Sequence, residues 1–511
     1  MNRIDFPDDL TVGRIGRHCA HINGAKVALD DGTDRLTYTD LCDQVDALSA
    51  ALVEMGIHKG DIVSAYLPNC IEYVVAVLAV ARAGGVFSPL NPRFKTAELA
   101  AILRQAKPKA VIVDSMRVPA LEEALRIVRH ECRVVCCGEG ETRPGAYHWN
   151  ELIAGTSRCR VPVAESDFFS LLFTSGTTGQ PKGALATHRA RMIWVLNACI
   201  LYSLKEDDAY VGTMPLVHSA GLTFTLMHLY VGGTVHILRD FSPAGYVDLL
   251  EKCRITSSLV VPTMLVMTLD ELQRRNRAPD FSSMKRLVTC GSPLQESTKE
   301  DVLTKITPHL YDYYGSTESN SMTVLKPADQ RRKARSVGQP FTNVEIRIVG
   351  ENGEDKPSGE DGEVWCRNPS LMTRYLDNDQ ATKDAITDGW YHTGDLGHVD
   401  EDGFLYLVAR KGDTIISGGF NIYPVEIENV LMSHPDILDC AVIGHPHPKW
   451  GECVAAYVVP REGRQIDIDG IQTHCVKHLA DYKKPRVLKI VSSIPKNAGG
   501  KTVKSQLAKA G

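Results

Sequence analysis

The chain has 511 residues and a formal net charge of −5, with 43% hydrophobic and 23% charged residues. This composition is ordinary for a soluble globular protein of two to four domains, and the small net charge argues against a broad nucleic-acid-binding surface. The longest clean apolar run, 73–81, is about half of the ~20 residues that a membrane span needs. The N-terminus MNRIDFPDDL has no apolar run and predicts no signal peptide. We therefore expect a cytoplasmic protein without integral membrane association.

The first 320 or so residues alternate between two kinds of segment. Apolar residues at helical spacing predict helices over 37–56 and 71–84. Short β-branched runs predict buried strands at 110–114, 234–238 and 257–262. This alternation indicates an α/β fold, in which parallel sheets are covered by helices.

The 14 cysteines are scattered, with one cluster at Cys132, Cys136 and Cys137 near His130. A metal site is one interpretation of this cluster. The sequence HECRVVCCGEG favours a β-strand with buried thiols, because cysteine in a large chain without an export signal mostly behaves as a small hydrophobic residue. We expect the thiols to be reduced.

The pattern changes from about residue 340, where strands with acidic, glycine-bearing turns predict a small β-rich unit. This unit covers about 341–367, and a turn-rich stretch is predicted to follow it as far as Arg410–Asp413. A compact α+β tail follows, with strands ILDCAVIGH, CVAAYVVP and RVLKIV and helices VEIENVLMSH and 468–480. The predicted domains are 1–409 and 414–511, joined by a hinge at 410–413.

A polar loop, TSGTTGQPKG, follows an apolar run and spans 174–183. Glycine frees backbone N–H groups which, with clustered hydroxyls, can surround phosphate oxygens. The stretch is not a P-loop of the form G-x-x-x-x-G-K-[ST], because Pro181 precedes Lys182 and Gly183 follows it. It therefore predicts a phosphate-binding loop of another kind.

Five motifs, in order and at matching spacing, resemble the adenylate-forming (ANL) superfamily, which includes acyl-CoA synthetases, peptide-synthetase adenylation domains and beetle luciferase. They are TSGTTGQPKG (174–183), YGSTES (314–319), YHTGD (391–395), RKGDTIISGGFNIYP (410–424) and PKNAGGK (495–501). The resemblance covers nearly the whole chain. It implies a large N-terminal domain of parallel α/β sheets with a small β-rich unit, followed by a small mobile α+β C-terminal domain.

The resemblance implies an AMP-forming carboxylate–CoA ligase that uses ATP, Mg²⁺ and coenzyme A. ATP and a carboxylic acid would give an acyl-adenylate and pyrophosphate, and coenzyme A would then give acyl-CoA and AMP. A stand-alone adenylation enzyme that loads a carrier protein would need an acidic partner for a substrate ammonium within 214–221, which is absent. A non-catalytic relative would be expected to have lost Lys501 or Glu318. A luciferase-type oxygenase stays open as an alternative activity. A homodimer stays open as the oligomeric state.

The resemblance assigns catalysis to Lys501, Glu318 and Thr174. Lys501 would bridge the carboxylate and the α-phosphate oxygens as charge develops, and Glu318 would bind Mg²⁺. Thr317 would contact the α-phosphate, and Lys182 the β- and γ-phosphates. The nucleotide-binding residues implied in this way are Thr174, Ser175, Gly176, Thr177, Thr178, Gly179, Lys182, Gly291, Ser292, Pro293, Asp312, Tyr313, Tyr314, Gly315, Thr317, Asp395, Arg410 and Lys501.

Base and ribose recognition are implied for four of these residues. Tyr314 would stack on adenine, and Asp312 would accept a hydrogen bond from the adenine amino group. Asp395 would accept from the ribose hydroxyls, with Arg410 as a second ribose contact.

The acyl pocket is predicted from residues that are mostly small or apolar, with His218 as its gate. They are His218, Ala220, Gly221, Val261, Thr263, Gly291 and Tyr313. No Arg or Lys is evident among them, which argues against a dicarboxylate such as malonate. A medium- or long-chain fatty acid ranks slightly ahead of an aromatic acid of the benzoate or cinnamate type.

The first half-reaction needs Lys501 at the phosphate, and the second must admit the long thiol of coenzyme A to the activated carboxyl carbon. The resemblance implies that the C-terminal domain rotates between the two half-reactions about Gly412. Family members often carry Asp or Lys at that pivot, whereas glycine permits backbone angles that other residues resist. In the rotated state Gly418, Gly419 and Phe420 would line the channel for the pantetheine arm of coenzyme A.

Overall fold

The computed structural model describes residues 10–138, 140, 144–159, 161–175, 181–417, 420–496 and 502–509. The strands within these residues are β1 Val27–Asp30, β2 Arg35–Thr37, β3 Ile62–Tyr66, β4 Val86–Pro89, β5 Ala110–Asp114, β6 Arg133–Cys137, β7 Tyr147–His148, β8 Phe168–Ser175, β9 Pro181–Thr187, β10 Ala209–Gly212, β11 Thr234–Ile237, β12 Ser257–Val260, β13 Arg286–Cys290, β14 Leu310–Ser316, β15 Asn320–Leu325, β16 Gln339–Pro340, β17 Glu345–Val349, β18 Gly362–Arg367, β19 Arg374–Tyr375, β20 Ile386–Thr387, β21 Trp390–Val399, β22 Leu405–Arg410, β23 Ile415–Ser417, β24 Phe420–Ile422, β25 Ile437–His447, β26 Gly451–Pro460 and β27 Val487–Ile490.

The α-helices in the same ranges are α1 Arg17–Asn23, α2 Tyr38–Glu54, α3 Ile71–Arg82, α4 Thr96–Ala106, α5 Val118–Val128, α6 Trp149–Ile153, α7 His188–Leu201, α8 Ser219–Val231, α9 Pro243–Lys252, α10 Pro262–Arg274, α11 Glu296–Lys305, α12 Asp379–Ala385, α13 Pro424–Met432, α14 Ile468–His478 and α15 Lys504–Lys509. Across this part of the chain, no helix combines the length and the apolar character that crossing a bilayer requires.

Two large sheets form the N-terminal domain. One has the strand order β19-β9-β8-β4-β3-β5-β6-β7, and the other β16-β15-β14-β13-β12-β10-β11-β1-β2. Their central strands pair in parallel. Parallel sheets covered by helices are buried on both faces, which explains the nearly continuous apolar runs. One hydrophobic cluster includes residues of both sheets and of α3, in which Glu72 alone is not fully buried. The predicted α/β class is confirmed.

The cysteine cluster lies where a strand was expected. Cys136 and Cys137 are buried at the end of β6, and Cys132 immediately precedes that strand. The described portion of the chain contains no group of three or more His, Cys, Asp and Glu side chains suited to a metal ion. Within that portion, the buried-strand interpretation fits and the metal interpretation does not.

The β-rich unit extends further than the sequence predicts. Strands β17, β18, β21 and β20 form a sheet, and β22 pairs antiparallel with β21. The stretch before Arg410, predicted to be rich in turns, therefore contains two long strands. Gly397 explains part of the difference: a Cβ there would lie 2.2 Å from the Tyr406 carbonyl oxygen, so the glycine serves close strand pairing at a bulge rather than a turn.

A small α+β domain forms the C-terminal part of the chain. Its sheet has the order β24-β23-β26-β25, with β27 parallel to β26. Helices α13 and α14 cover it through a buried cluster that includes Ile427, Leu431, Ile471 and Cys475. The large α/β domain followed by a small α+β domain confirms the predicted architecture, and the boundary at 410–413 remains a prediction.

Candidate active site

The central strands of the larger sheet run parallel, so their carboxyl ends meet at one edge. Val261 follows β12, Gly291 follows β13, and Tyr313 and Tyr314 lie near the end of β14. Ligands of open α/β sheets bind at such an edge. Gly291 has φ +90°, and an added Cβ would lie 3.8 Å from the Val261 side chain. The predicted base-binding and acyl-binding residues therefore share one region.

The two ends of the polar segment lie in paired strands. Thr174 and Ser175 end β8, and Pro181 begins the antiparallel strand β9, with Thr174 opposite Lys182. The sequence assigned all of 174–183 to a loop, but the ladder extends into the polar residues at both ends. Proline is tolerated as the first residue of a strand. This pairing places Thr174 and Lys182 opposite each other on neighbouring strands.

A tight turn between β14 and β15 carries Thr317 and Glu318. Gly315 is required there, because an added Cβ would lie 1.9 Å from the Asn320 carbonyl oxygen. The Met372 N–H donates to the Glu318 carbonyl oxygen at 2.7 Å. The turn is thus held from two sides, and the Glu318 side chain points from a fixed backbone.

Glu318 is 8% exposed, and its carboxylate connects residues that are far apart in sequence. Its Oε1 accepts from the Thr174 hydroxyl at 3.2 Å and from the Tyr375 hydroxyl at 3.0 Å. The Lys182 Nζ lies 5.4 Å from the centre of the Tyr375 ring. Three predicted residues, Thr174, Lys182 and Glu318, are therefore brought together.

Tyr375 belongs to this cluster and was missed by sequence reasoning. It lies in β19, which pairs with β9 so that Tyr375 is opposite Ala184. A tyrosine in the segment TRYLDND has no chemical signature of its own. Only the pairing of β19 with β9 places it against Glu318, and that pairing spans about 190 residues.

Asp395, Arg410 and Tyr314 form a second group. Asp395 and Arg410 are cross-strand partners in β21 and β22, and the Arg410 Nε lies 4.0 Å from the Asp395 Oδ1. The Tyr314 hydroxyl donates to the Asp395 Oδ2 at 2.5 Å. Burial, with Asp395 beside it, raises the pKa of Tyr314 well above its usual range, so the phenol keeps its proton. The predicted adenine-stacking and ribose-binding residues are thus in direct contact.

Asp312 and Tyr313 are consecutive residues of β14. Burial raises the pKa of Asp312 to about 7; the nearby Lys299 ammonium opposes this shift and the Glu296 carboxylate adds to it. The Tyr313 ring stacks on Phe224, with 6.0 Å between ring centres. Asp312 is therefore a carboxyl group that changes its hydrogen-bonding role near neutral pH.

Five of the seven predicted acyl-pocket residues lie around the start of α8 and of α10, and the other two, Gly291 and Tyr313, belong to the carboxyl edge described above. His218 occupies the N-cap position of α8, and Ala220 is half-buried in the first turn of that helix. Gly221 packs against backbone, because an added Cβ would lie 2.7 Å from the Pro215 carbonyl oxygen. Thr263, at the start of α10, is exposed. The small size of Gly221 thus serves the approach of the 214–215 backbone.

The remaining predicted residues are either exposed or lie outside the described residues. Ser292 and Pro293 are exposed after β13, and Phe420 is 56% exposed and stacks on Tyr482 with 4.8 Å between ring centres. The backbone of Ser175 lies in β8. Outside the described residues are Gly176, Thr177, Thr178, Gly179, Gly418, Gly419 and Lys501.

Comparison with protein families gives two matches. The model described as "AMP-binding enzyme" matches residues 17–376, and the model described as "AMP-binding enzyme C-terminal domain" matches residues 426–501. The two matches together account for most of the chain.

Individual relatives extend over nearly the full length. Indoleacetate–CoA ligase of Aromatoleum aromaticum is 34% identical over 499 residues, with 96% of each chain covered. Feruloyl-CoA synthase of Amycolatopsis sp is 33% identical over 492 residues, again with 96% of each covered. The solved structure of o-succinylbenzoate CoA synthetase from Bacillus subtilis, in complex with its acyl-adenylate intermediate, has a TM-score of 0.86 at 27% identity and 97% coverage of both chains. The chain therefore belongs to the AMP-binding enzyme family and is an AMP-forming acid–thiol ligase that uses ATP and coenzyme A.

Proposed function

We propose that this ligase activates an aromatic carboxylic acid. The observation that carries the proposal is that the relatives named above act on indoleacetate, ferulate and o-succinylbenzoate, each a carboxylic acid with an aromatic ring. These relatives do not support the expectation that ranked a fatty acid ahead. The buried ring pair Tyr313–Phe224 beside the carboxyl edge is in keeping with an aromatic substrate.

The nucleotide site is proposed to work by charge placement, in which charged side chains hold ATP and the carboxylate in position and offset their negative charge. Lys182 would hold the β- and γ-phosphates, Asp395 and Arg410 would hold the ribose, and Lys501 would bridge the carboxylate and the α-phosphate oxygens as charge develops. A carboxylate oxygen attacks the α-phosphorus and pyrophosphate leaves. The sulfur of coenzyme A then attacks the acyl carbon and AMP leaves.

Glu318 is proposed as the residue that binds Mg²⁺. The group around it consists of a carboxylate and hydroxyl oxygens, and these are the donors that Mg²⁺ prefers. When bound, Mg²⁺ would offset the charge of the phosphates. The chain's own part is to hold the Glu318 carboxylate in place through Thr174 and Tyr375.

The acid is tested by measuring AMP and pyrophosphate release with coenzyme A across two series, aryl acids and unbranched fatty acids of increasing length. We expect kcat/KM to be highest for an aryl acid. A maximum within the fatty-acid series would contradict the aromatic proposal while leaving the ligase assignment intact.

Asp312 predicts a pH dependence of ATP binding. Its pKa of about 7 in the folded chain means that the ionised form, the better acceptor for the adenine amino group, dominates only above that pH. We expect the KM for ATP to fall as pH rises from about 6 to about 8. In Asp312→Asn an amide oxygen accepts at every pH, so the profile should flatten. An unchanged profile in Asp312→Asn would show that another group titrates.

The same shift predicts an effect on stability. Between the ordinary value of 3.8 and about 7 the folded chain holds a proton that the unfolded chain has lost, so stability decreases as pH rises through this window. The Tm of the wild type should therefore fall relative to that of Asp312→Asn between about pH 5 and pH 8.

Gly412 predicts that the two half-reactions can be separated. Its φ of +92° and the open space around an added Cβ permit Gly412→Ala at a cost of about 1 kcal/mol in strain. Proline fixes φ near −65° and should favour one domain orientation. We expect Gly412→Pro to change the rates of adenylate and thioester formation by different factors, measured separately in single turnovers. Equal losses in both half-reactions, with Gly412→Ala unaffected, would count against a hinge here.

A further inference from the structure

Arg191 is an arginine in an unusual position. It lies in the first turn of α7 and is 1% exposed. The positive end of the helix dipole lies at that turn, where cations are disfavoured. A buried charge is costly unless it is paired. Its presence there needs a reason that packing alone does not give.

No carboxylate in the described portion of the chain lies within ion-pair distance of Arg191. Two other buried arginines differ: Arg82 lies 2.7 Å from Asp46, and Arg286 lies 2.9 Å from Asp208. Arg191 instead contacts the rings of Phe169 and Trp194, at 5.8 and 5.1 Å. Burial lowers the pKa of its guanidinium to about 10, so it remains a cation at neutral pH.

The polar contacts of Arg191 point toward the acyl side of the site. Its Nη1 donates to the hydroxyls of Ser219, at 3.0 Å, and of Thr223, both on α8. Its Nε is buried without a hydrogen-bond partner among the described residues. Ser219 stands between His218 and Ala220, two residues of the predicted acyl pocket.

Ser219 extends the network to the Glu318 turn. Its hydroxyl donates to the Asn320 Oδ1 at 3.3 Å, and Asn320 follows Glu318 by two positions. A cationic group is thus connected through one hydroxyl to both the acyl segment and the turn of the nucleotide site. Arg191 is not one of the residues predicted to line the acyl pocket, and it is connected to that segment through Ser219.

We propose that Arg191 is a positioning residue for acyl specificity, acting through Ser219 to favour aromatic acids that carry a second acceptor oxygen away from the reacting carboxylate. A phenol, a ketone or a second carboxylate would complement a cation that has no acidic partner among the described residues. Hydrogen bonds assisted by a charge are stronger than neutral ones. This inference rests on the proposed aromatic substrate and specifies its substituents.

The test compares kcat and KM for matched acids that differ only in the acceptor group. The pairs are cinnamate with para-hydroxycinnamate, and phenylacetate with para-carboxyphenylacetate. We expect the wild type to prefer the oxygen-bearing member of at least one pair. Arg191→Met should reduce that preference by roughly tenfold, chiefly through KM, and Arg191→Lys should retain part of it.

Two further variants separate specificity from folding. Ser219→Ala should shift the preference in the same direction, so the proposal stays testable if Arg191→Met does not fold. Arg82→Met removes a buried arginine on α3 and should lower Tm without changing the preference. Equal losses for both members of every pair in Arg191→Met would overturn the inference and leave the aromatic-acid proposal standing. A wild type without aryl-acid activity would overturn both.

Discussion

Lys501→Ala is expected to lower carboxylate-dependent ATP–pyrophosphate exchange by about 10²- to 10³-fold. The first half-reaction brings two anions together, and a cation between them stabilises the charge that develops. Lys501 lies outside the described residues, but both ends of its segment are anchored: Lys496 pairs with Thr502 in an isolated bridge and lies 2.6 Å from Asp439. Lys504 lies 3.4 Å from both Asp413 and Glu428.

The loss should be confined to adenylate formation. Thioester formation from a supplied acyl-adenylate should be much less affected in Lys501→Ala, because sulfur attacks the acyl carbon in that step and no carboxylate anion has to be brought to the α-phosphorus. Lys477→Ala, an exposed lysine in the last turn of α14, is the matched control and should retain full exchange. Undiminished exchange in Lys501→Ala would remove the basis of the proposed charge placement.

The sequence predicted best what depends on buried apolar patterns. The strand at 110–114 and the helix predicted over 71–84 were found close to their expected limits, as β5 and α3. Both are almost completely buried, so hydrophobic burial and local propensity favour the same structure. The C-terminal strands were likewise predictable from their own residues.

The errors share a different cause, which is dependence on distant partners. The run of Gly, Asp and Asn before Arg410 looked like turns, yet β21 and β22 stabilise each other as a pair. Tyr375 reaches Glu318 only through the pairing of β19 with β9. Arg191 contacts Ser219 because α7 packs on α8. Such contacts have no local pattern and therefore could not be inferred from sequence spacing.

Glu318→Gln is expected to reduce the adenylation rate by about 100-fold while leaving the fold intact. Glutamine keeps an oxygen that can accept from Thr174 and Tyr375 but loses the negative charge that would bind a hard cation. The Mg²⁺ concentration that gives half-maximal exchange should rise. Removal of a buried charge should leave Tm unchanged or raise it, since catalytic groups are often placed at a cost in stability.

Tyr375→Phe serves as the matched control for the charge. It retains the Glu318 carboxylate and removes one hydroxyl donor, so we expect only about a tenfold loss of rate, in line with a single hydrogen bond to a charged group. Its Mg²⁺ requirement should change less than that of Glu318→Gln. If Glu318→Gln shows the same Mg²⁺ dependence as the wild type, the carboxylate orders the turn and the cation binds elsewhere, because geometry is preserved in that variant and charge alone is lost.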